Sequence, residues 1–150
     1  MLFYDYIIIS NPDVSVTEDA INKCIEVLNK REDVAIVAPR MFDKENKPIR
    51  RSSWKIRTFG LDVVHSTRIL EILFYGVLRK GEYTEKEYEA SQLEVEAIAG
   101  SFFVIKKEIF KKIGYFDDNV FLFYEEDILS KKIKELGYKV LSLNDINFIH

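Results

Sequence analysis

The chain predicts an α/β domain: a mixed, mostly parallel sheet with flanking helices. Three observations carry this. The runs "YDYIIIS" (4–10), "VAIVAP" (34–39) and "YKVLSL" (138–143) are continuously apolar rather than alternating, as strands covered on both faces are. Residues 15–33 and 126–136 place apolar side chains at helical spacing between such runs. The order strand, helix, strand, long insertion, strand, helix, strand is an α/β order. A length of 150 residues suits one domain with a real core.

In chain order, the first strand is ended by Asn11-Pro12-Asp13, a turn signal. The next helix opens on Ser15 and Glu18, spaced as a capping box. Its face of Ala20, Ile21, Cys24, Ile25 and Leu28 makes Cys24 a packed thiol rather than a nucleophile. The second strand is expected to stop at Pro39. Residues 40–60 show no period and read as a loop. Its basic stretch "KPIRRSSWKIR" (47–57) is expected to be mobile around Trp54 until an anion neutralises it. Residues 61–80 have helical spacing, and 80–92 read as an exposed, mobile acidic connection. A strand and a short helix follow over 95–110, with Gly100 inside the strand, where a glycine marks close approach of a ligand or another backbone. An aromatic and acidic loop leads into the last helix, with Gly137 as its C-terminal cap.

A net charge of −3 gives no ground for a nucleic-acid partner. A single cysteine excludes an intrachain disulfide and fits a reducing, cytoplasmic setting. The apolar start lacks a basic leader region and breaks at Ser10-Asn11-Pro12, so it reads as a strand and not a targeting signal. The run 69–78 is too short to cross a bilayer.

Ligands of open α/β sheets bind beyond the carboxyl ends of the strands. Asp13 follows the first strand, and Glu125, Glu126 and Asp127 follow the Gly100 strand and its loop. Taken singly, "NPD" is an Asx-type turn, "EED" a negative first turn that complements a helix dipole, and His150 a surface or core histidine. Taken together they supply an oxygen ligand for a hard cation, a proton acceptor for a hydroxyl and a further metal ligand or anion donor. Those are the parts needed to displace a diphosphate with an alcohol.

"YDYIIISNPDV", "VAIVAPRMFDKENKPIRRSSW" and the stretch from "VEAIAGSFFVIKK" to "NDINFIH" resemble the later part of a family 2 glycosyltransferase of GT-A fold, closest to its rhamnosyltransferase-like group. The resemblance covers nearly all of the chain except about 61–93. It implies that Asp13 ends the metal- and diphosphate-binding Asp-x-Asp element, with Asn11 in place of its first Asp. Gly100 and Ser101 match the stretch lining the acceptor and sugar pocket. Phe116 and Asp117 match a Gly-x-Phe-Asp-Glu loop, although Asp118 stands where Glu is usual. Trp54 is assigned to the acceptor side, where its basic neighbours suit a lipid-linked acceptor's phosphate or an anionic membrane face. His150 matches a closing histidine and, with Asp13, a site for Mn²⁺ or Mg²⁺. The acid cluster matches the element carrying the catalytic base. Counting back from Leu129 and Gly137 gives Glu126; reading the Glu-Asp pair literally gives Asp127. Glu126 is preferred, with Glu125 acting through metal or donor binding.

The implied activity is inverting transfer of a sugar from a UDP- or dTDP-type donor to a carbohydrate or lipid-linked acceptor, in bacterial cell-surface polysaccharide synthesis. The family's opening βαβ region, which holds the nucleotide base, has no counterpart here. The expectation is therefore one N-terminally truncated domain over 1–150, comprising 1–40, an insertion over 41–93, and an acceptor and base region over 94–150. Exposed sheet margins would then invite self-association or await an N-terminal half. The competing expectation is a catalytically silent remnant that serves binding or assembly. A metal phosphohydrolase would need more carboxylates and histidines than can be placed.

Overall fold

The computed structural model describes residues 4–56, 82–117, 120 and 124–150. The helix expected over 61–80 lies outside them, as do Arg57, Asp118, Phe121 and Phe123. The strands are β1 (Tyr6–Ser10), β2 (Ser15–Val16), β3 (Val34–Phe42), β4 (Ser53–Trp54), β5 (Gln92–Val95), β6 (Ala97–Ile98), β7 (Phe102–Lys106) and β8 (Lys139–Ile149). The helices are α1 (Glu18–Lys30), α2 (Lys107–Lys112) and α3 (Glu125–Glu135).

The α/β class holds. The main sheet has the order β1-β7-β3-β8-β2, with β5 also on the outer side of β8. It is mixed, but not mostly parallel. Only β3 and β8 pair in parallel; β1–β7, β3–β7, β2–β8 and β5–β8 are antiparallel. Strand–helix–strand order fixes direction, not adjacency. β1, β3 and β8 do run the same way, but β7 enters between β1 and β3 running against both.

Alternate residues of the central strands feed two cores. Val34, Val37, Phe102, Val104 and Leu141 face α1, which contributes Ala20, Cys24 and Leu28. Ile36, Phe103, Ile105 and Val140 face α2 and α3, which contribute Ile109, Phe110, Leu129 and Ile133. Each such aliphatic side chain contributes about 1.5–3 kcal/mol on burial. Cys24 is fully buried, and burial pushes its thiol up to about 12, in keeping with a packed role. β1 forms one edge, and Ile8 in its middle is 44% exposed.

Several boundaries differ from expectation. Thr17, not Ser15, caps α1, its hydroxyl accepting from the Ala20 amide at 3.2 Å. Ser15 instead pairs with Ile149 in β2–β8. Pro39 sits inside β3 rather than ending it. Lacking an amide proton, it coincides with a register shift against β8 between Pro39 and Arg40. The last strand runs to Ile149, taking in "NFI".

The basic and acidic stretches of the insertion are ordered against each other. β4 pairs with β6 through Ser53↔Ile98 and Trp54↔Ala97. Tyr83 and Tyr88 from the acidic stretch are buried, and the Tyr88 hydroxyl lies 2.6 Å from Ser53 Oγ. The Arg40 guanidinium stacks 4.1 Å from the centre of the Tyr88 ring and donates to Glu85 at 2.7 Å. Arg50 faces Glu82 at 3.8 Å and Lys55 faces Glu87 at 3.7 Å. Residues 82–92 are therefore not a free connection. Within the basic stretch up to Ile56, Arg50 and Lys55 already face carboxylates of the chain itself.

Candidate active site

The strand ends of the main sheet meet in two small constellations. The first lies at the turn after β1. The Asn11 amide donates to the Ser101 carbonyl at 2.8 Å, which ties this turn to the one before β7. The β2–β8 pairing then carries the chain along the end of β8. The His150 amide is fixed by the Phe42 carbonyl at 3.0 Å, at the end of β3. As a result His150 Nε2 stands 3.3 Å from Asp13 Oδ1. Asp13 keeps 68% of its side-chain surface in water and His150 29%.

The second constellation joins α3 to the small β4–β6 sheet. The Gly100 amide donates to Glu126 Oε1 at 3.1 Å. The Trp54 indole Nε1–H donates to Asp127 Oδ1 at 2.7 Å. Both carboxylates are partly buried. Gly100 is expected inside a strand but occupies the turn between β6 and β7. A Cβ there would stand 2.5 Å from Glu126 Oε1. The close approach that a glycine signals is thus that of a carboxylate, not of a ligand or backbone.

α3 begins without a side-chain cap. Its N-cap residue, Tyr124, has φ 69 and ψ 0, the left-handed region. Glu125, Glu126 and Asp127 fill the first turn, where the helix dipole favours ionised carboxylates.

The remaining expected site residues are placed as follows. The Ser101 hydroxyl is buried and turned to Met41 Sδ at 3.5 Å, so its carbonyl, rather than its side chain, serves the turn. Phe116 is half-buried against Phe110, with ring centres 5.4 Å apart. Asp117 faces Lys132 of α3 at 3.9 Å. Asp13 and His150 are brought together, as are Trp54, Gly100, Glu126 and Asp127; Asn11 serves the β1 turn through its backbone. Phe116 packs on α2 through Phe110, and Asp117 faces α3 through Lys132. The Trp54–Asp127 contact was not foreseen. The two residues are 73 positions apart, and no spacing signal connects them.

Among the described residues no three His, Cys, Asp or Glu side chains converge to hold a metal ion. Exposed Asp13 and half-buried His150 supply two donors, which fits a cation that completes its shell with water and ligand phosphate oxygens. Among the described residues no helix is long and apolar enough to cross a membrane.

No family model matches the chain. Over 120 residues it is 22% identical to the low-salt glycan biosynthesis hexosyltransferase Agl10 of Haloferax volcanii. That match takes in 80% of this chain and 34% of the relative, so the chain spans about a third of that protein's length. Among solved structures, A197 from STIV superposes over 97% of this chain and 56% of its own, with a TM-score of 0.54 and 18% identity. The second likeness is one of fold; the first relates the chain, distantly, to a glycosyltransferase.

Proposed function

We propose that this chain is the acceptor- and base-carrying part of a GT-A glycosyltransferase of family 2 type, transferring a sugar with inversion from a nucleoside-diphosphate sugar to an acceptor hydroxyl. The observation that carries this reading is the Glu126 carboxylate, held on the Gly100 amide at the strand ends of the sheet. The distant likeness to a hexosyltransferase over 80% of the chain supports it.

Glu126 takes the proton of the acceptor hydroxyl. The oxygen attacks the anomeric carbon from the face opposite the diphosphate, forming the new glycosidic bond while the bond to diphosphate breaks. Inversion follows from that opposite-face attack. The proton acceptor sits in the first turn of α3 and is aimed by a backbone donor, so it is oriented before the acceptor arrives. Asp13 and His150 would hold Mn²⁺ or Mg²⁺ together with the donor's diphosphate. The metal's contribution when bound is to offset charge on the departing diphosphate. Trp54 offers an aromatic face to a sugar ring, and a cell-surface polysaccharide or a lipid-linked sugar suits the acceptor role.

Calorimetric titration of UDP and dTDP, with and without Mn²⁺, tests the reading. Binding that requires the metal is the expected result. Absence of any binding at millimolar nucleotide, in the full protein as well as in this chain, would overturn it in favour of a silent binding module.

A further inference from the structure

We propose that Trp54 is a positioning residue that sets Glu126 by holding its neighbour Asp127, so that the two adjacent acids have different tasks. The inference rests on Glu126 being the proton acceptor.

Backbone pairing joins the small sheet to the Gly100 turn. Ser53 and Trp54 pair with Ile98 and Ala97, and the Ala99 amide donates to the Ser52 carbonyl at 3.0 Å. This piece therefore carries both donors, the Trp54 indole and the Gly100 amide. Both acceptors lie on consecutive residues of α3. Consecutive helical residues point about 100° apart. Buried Leu129 and Ile133 hold the body of α3 against the sheet; the two contacts at that angle set the orientation of its first turn.

The start of α3 lacks a local device for this. Tyr124 is in the left-handed region, gives no side-chain cap, and is 58% exposed. The orientation of the first turn is therefore left to tertiary contacts. The indole–carboxylate bond, at 2.7 Å, is the shorter of the two. An indole nitrogen only donates, so it demands an acceptor at position 127 but not an ionised one. That separates positioning from proton transfer: Asn at 127 keeps a carbonyl acceptor, whereas a base cannot be replaced by an amide.

Amide hydrogen exchange at Gly100, read by NMR on the full chain without added ligand, tests the inference. In Trp54→Phe and Asp127→Ala the Gly100 amide should lose about five- to tenfold protection, the worth of about one hydrogen bond. In Asp127→Asn it should stay within about twofold. The Val104 amide of β7 should keep its protection in all three variants, because a purely structural role for Trp54 would lower it as well. Gly100 protection unchanged in both Trp54→Phe and Asp127→Ala overturns the inference. So does a loss in Asp127→Asn as large as in Asp127→Ala, or a loss at Val104 that parallels Gly100. Since no sugar donor is present, any of these results leaves the transferase reading to its own nucleotide titration.

Discussion

The two ends of the candidate site are built differently. At α3, Glu126 and Asp127 are partly buried, and each meets one donor from the small sheet and the Gly100 turn. At the β1 turn, Asp13 and His150 face each other at 3.3 Å with Asp13 mostly in water. A carboxylate that must meet one hydroxyl at one angle gains from being fixed beforehand. An exposed pair in high dielectric is worth little by itself, and gains most when a ligand brings further charge to it. The first end suits chemistry and the second suits recruitment.

The largest effect expected away from the carboxylates themselves comes from Gly100→Ala. Its Cβ would meet the tip of Glu126 at 2.5 Å. The flexible end of the side chain can swing aside, so the melting temperature should barely change. The displaced acid should cost transfer about 10²-fold, as a misplacement of roughly 1 Å can. A melting temperature that falls sharply would show instead that the turn, not the acid, needs the glycine.

Asp13→Ala should lower metal-dependent affinity for UDP or dTDP by about ten- to hundredfold, the worth of one contact to a charged group. The fold should be unaffected, because Asp13 keeps 68% of its side-chain surface in water and an exposed pair with His150 is worth little. Equal affinity in calorimetry would remove Asp13 from the site.

Tyr88→Phe is the mildest of the three. It deletes a hydroxyl shared with Ser52 and Ser53 and should cost about 1 kcal/mol of stability by denaturant titration. It should also speed trypsin cleavage at Arg50 and Arg51 relative to the main sheet. Unchanged cleavage would mean that the insertion is held by its surface ion pairs rather than by the buried tyrosine.

These contrasts also show what was legible in the sequence. Continuous apolar runs identified β1, β3 and β8, and helical spacing identified α1 and α3, since burial on both faces or on one stripe leaves a local mark. Adjacency leaves none, so the insertion of β7 between β1 and β3 was invisible. Glycine inside an apolar run flagged Gly100 correctly as a place of close approach, though not what approaches. Counting back from Leu129 and Gly137 to the base position of the resembled family gives Glu126, a residue the structure sets against the Gly100 amide. Trp54–Asp127 and Arg40–Tyr88 join distant segments and could not be counted. The order of the basic stretch leaves no mark for a related reason: the acids that face Arg50 and Lys55 lie about thirty residues further on, across the insertion.

The central claim is that Glu126, not Asp127, takes the acceptor's proton. Sugar-transfer rates of Glu126→Gln and Asp127→Asn, measured side by side in the full protein against a panel of UDP- and dTDP-hexoses, test it most directly. Glu126→Gln should keep donor binding and lose about 10²–10⁴-fold in rate, the usual worth of a general base, with Asp127→Asn remaining within a few fold. Loss of transfer in Asp127→Asn, with Glu126→Gln near the wild-type rate, would contradict the account and move the base to Asp127.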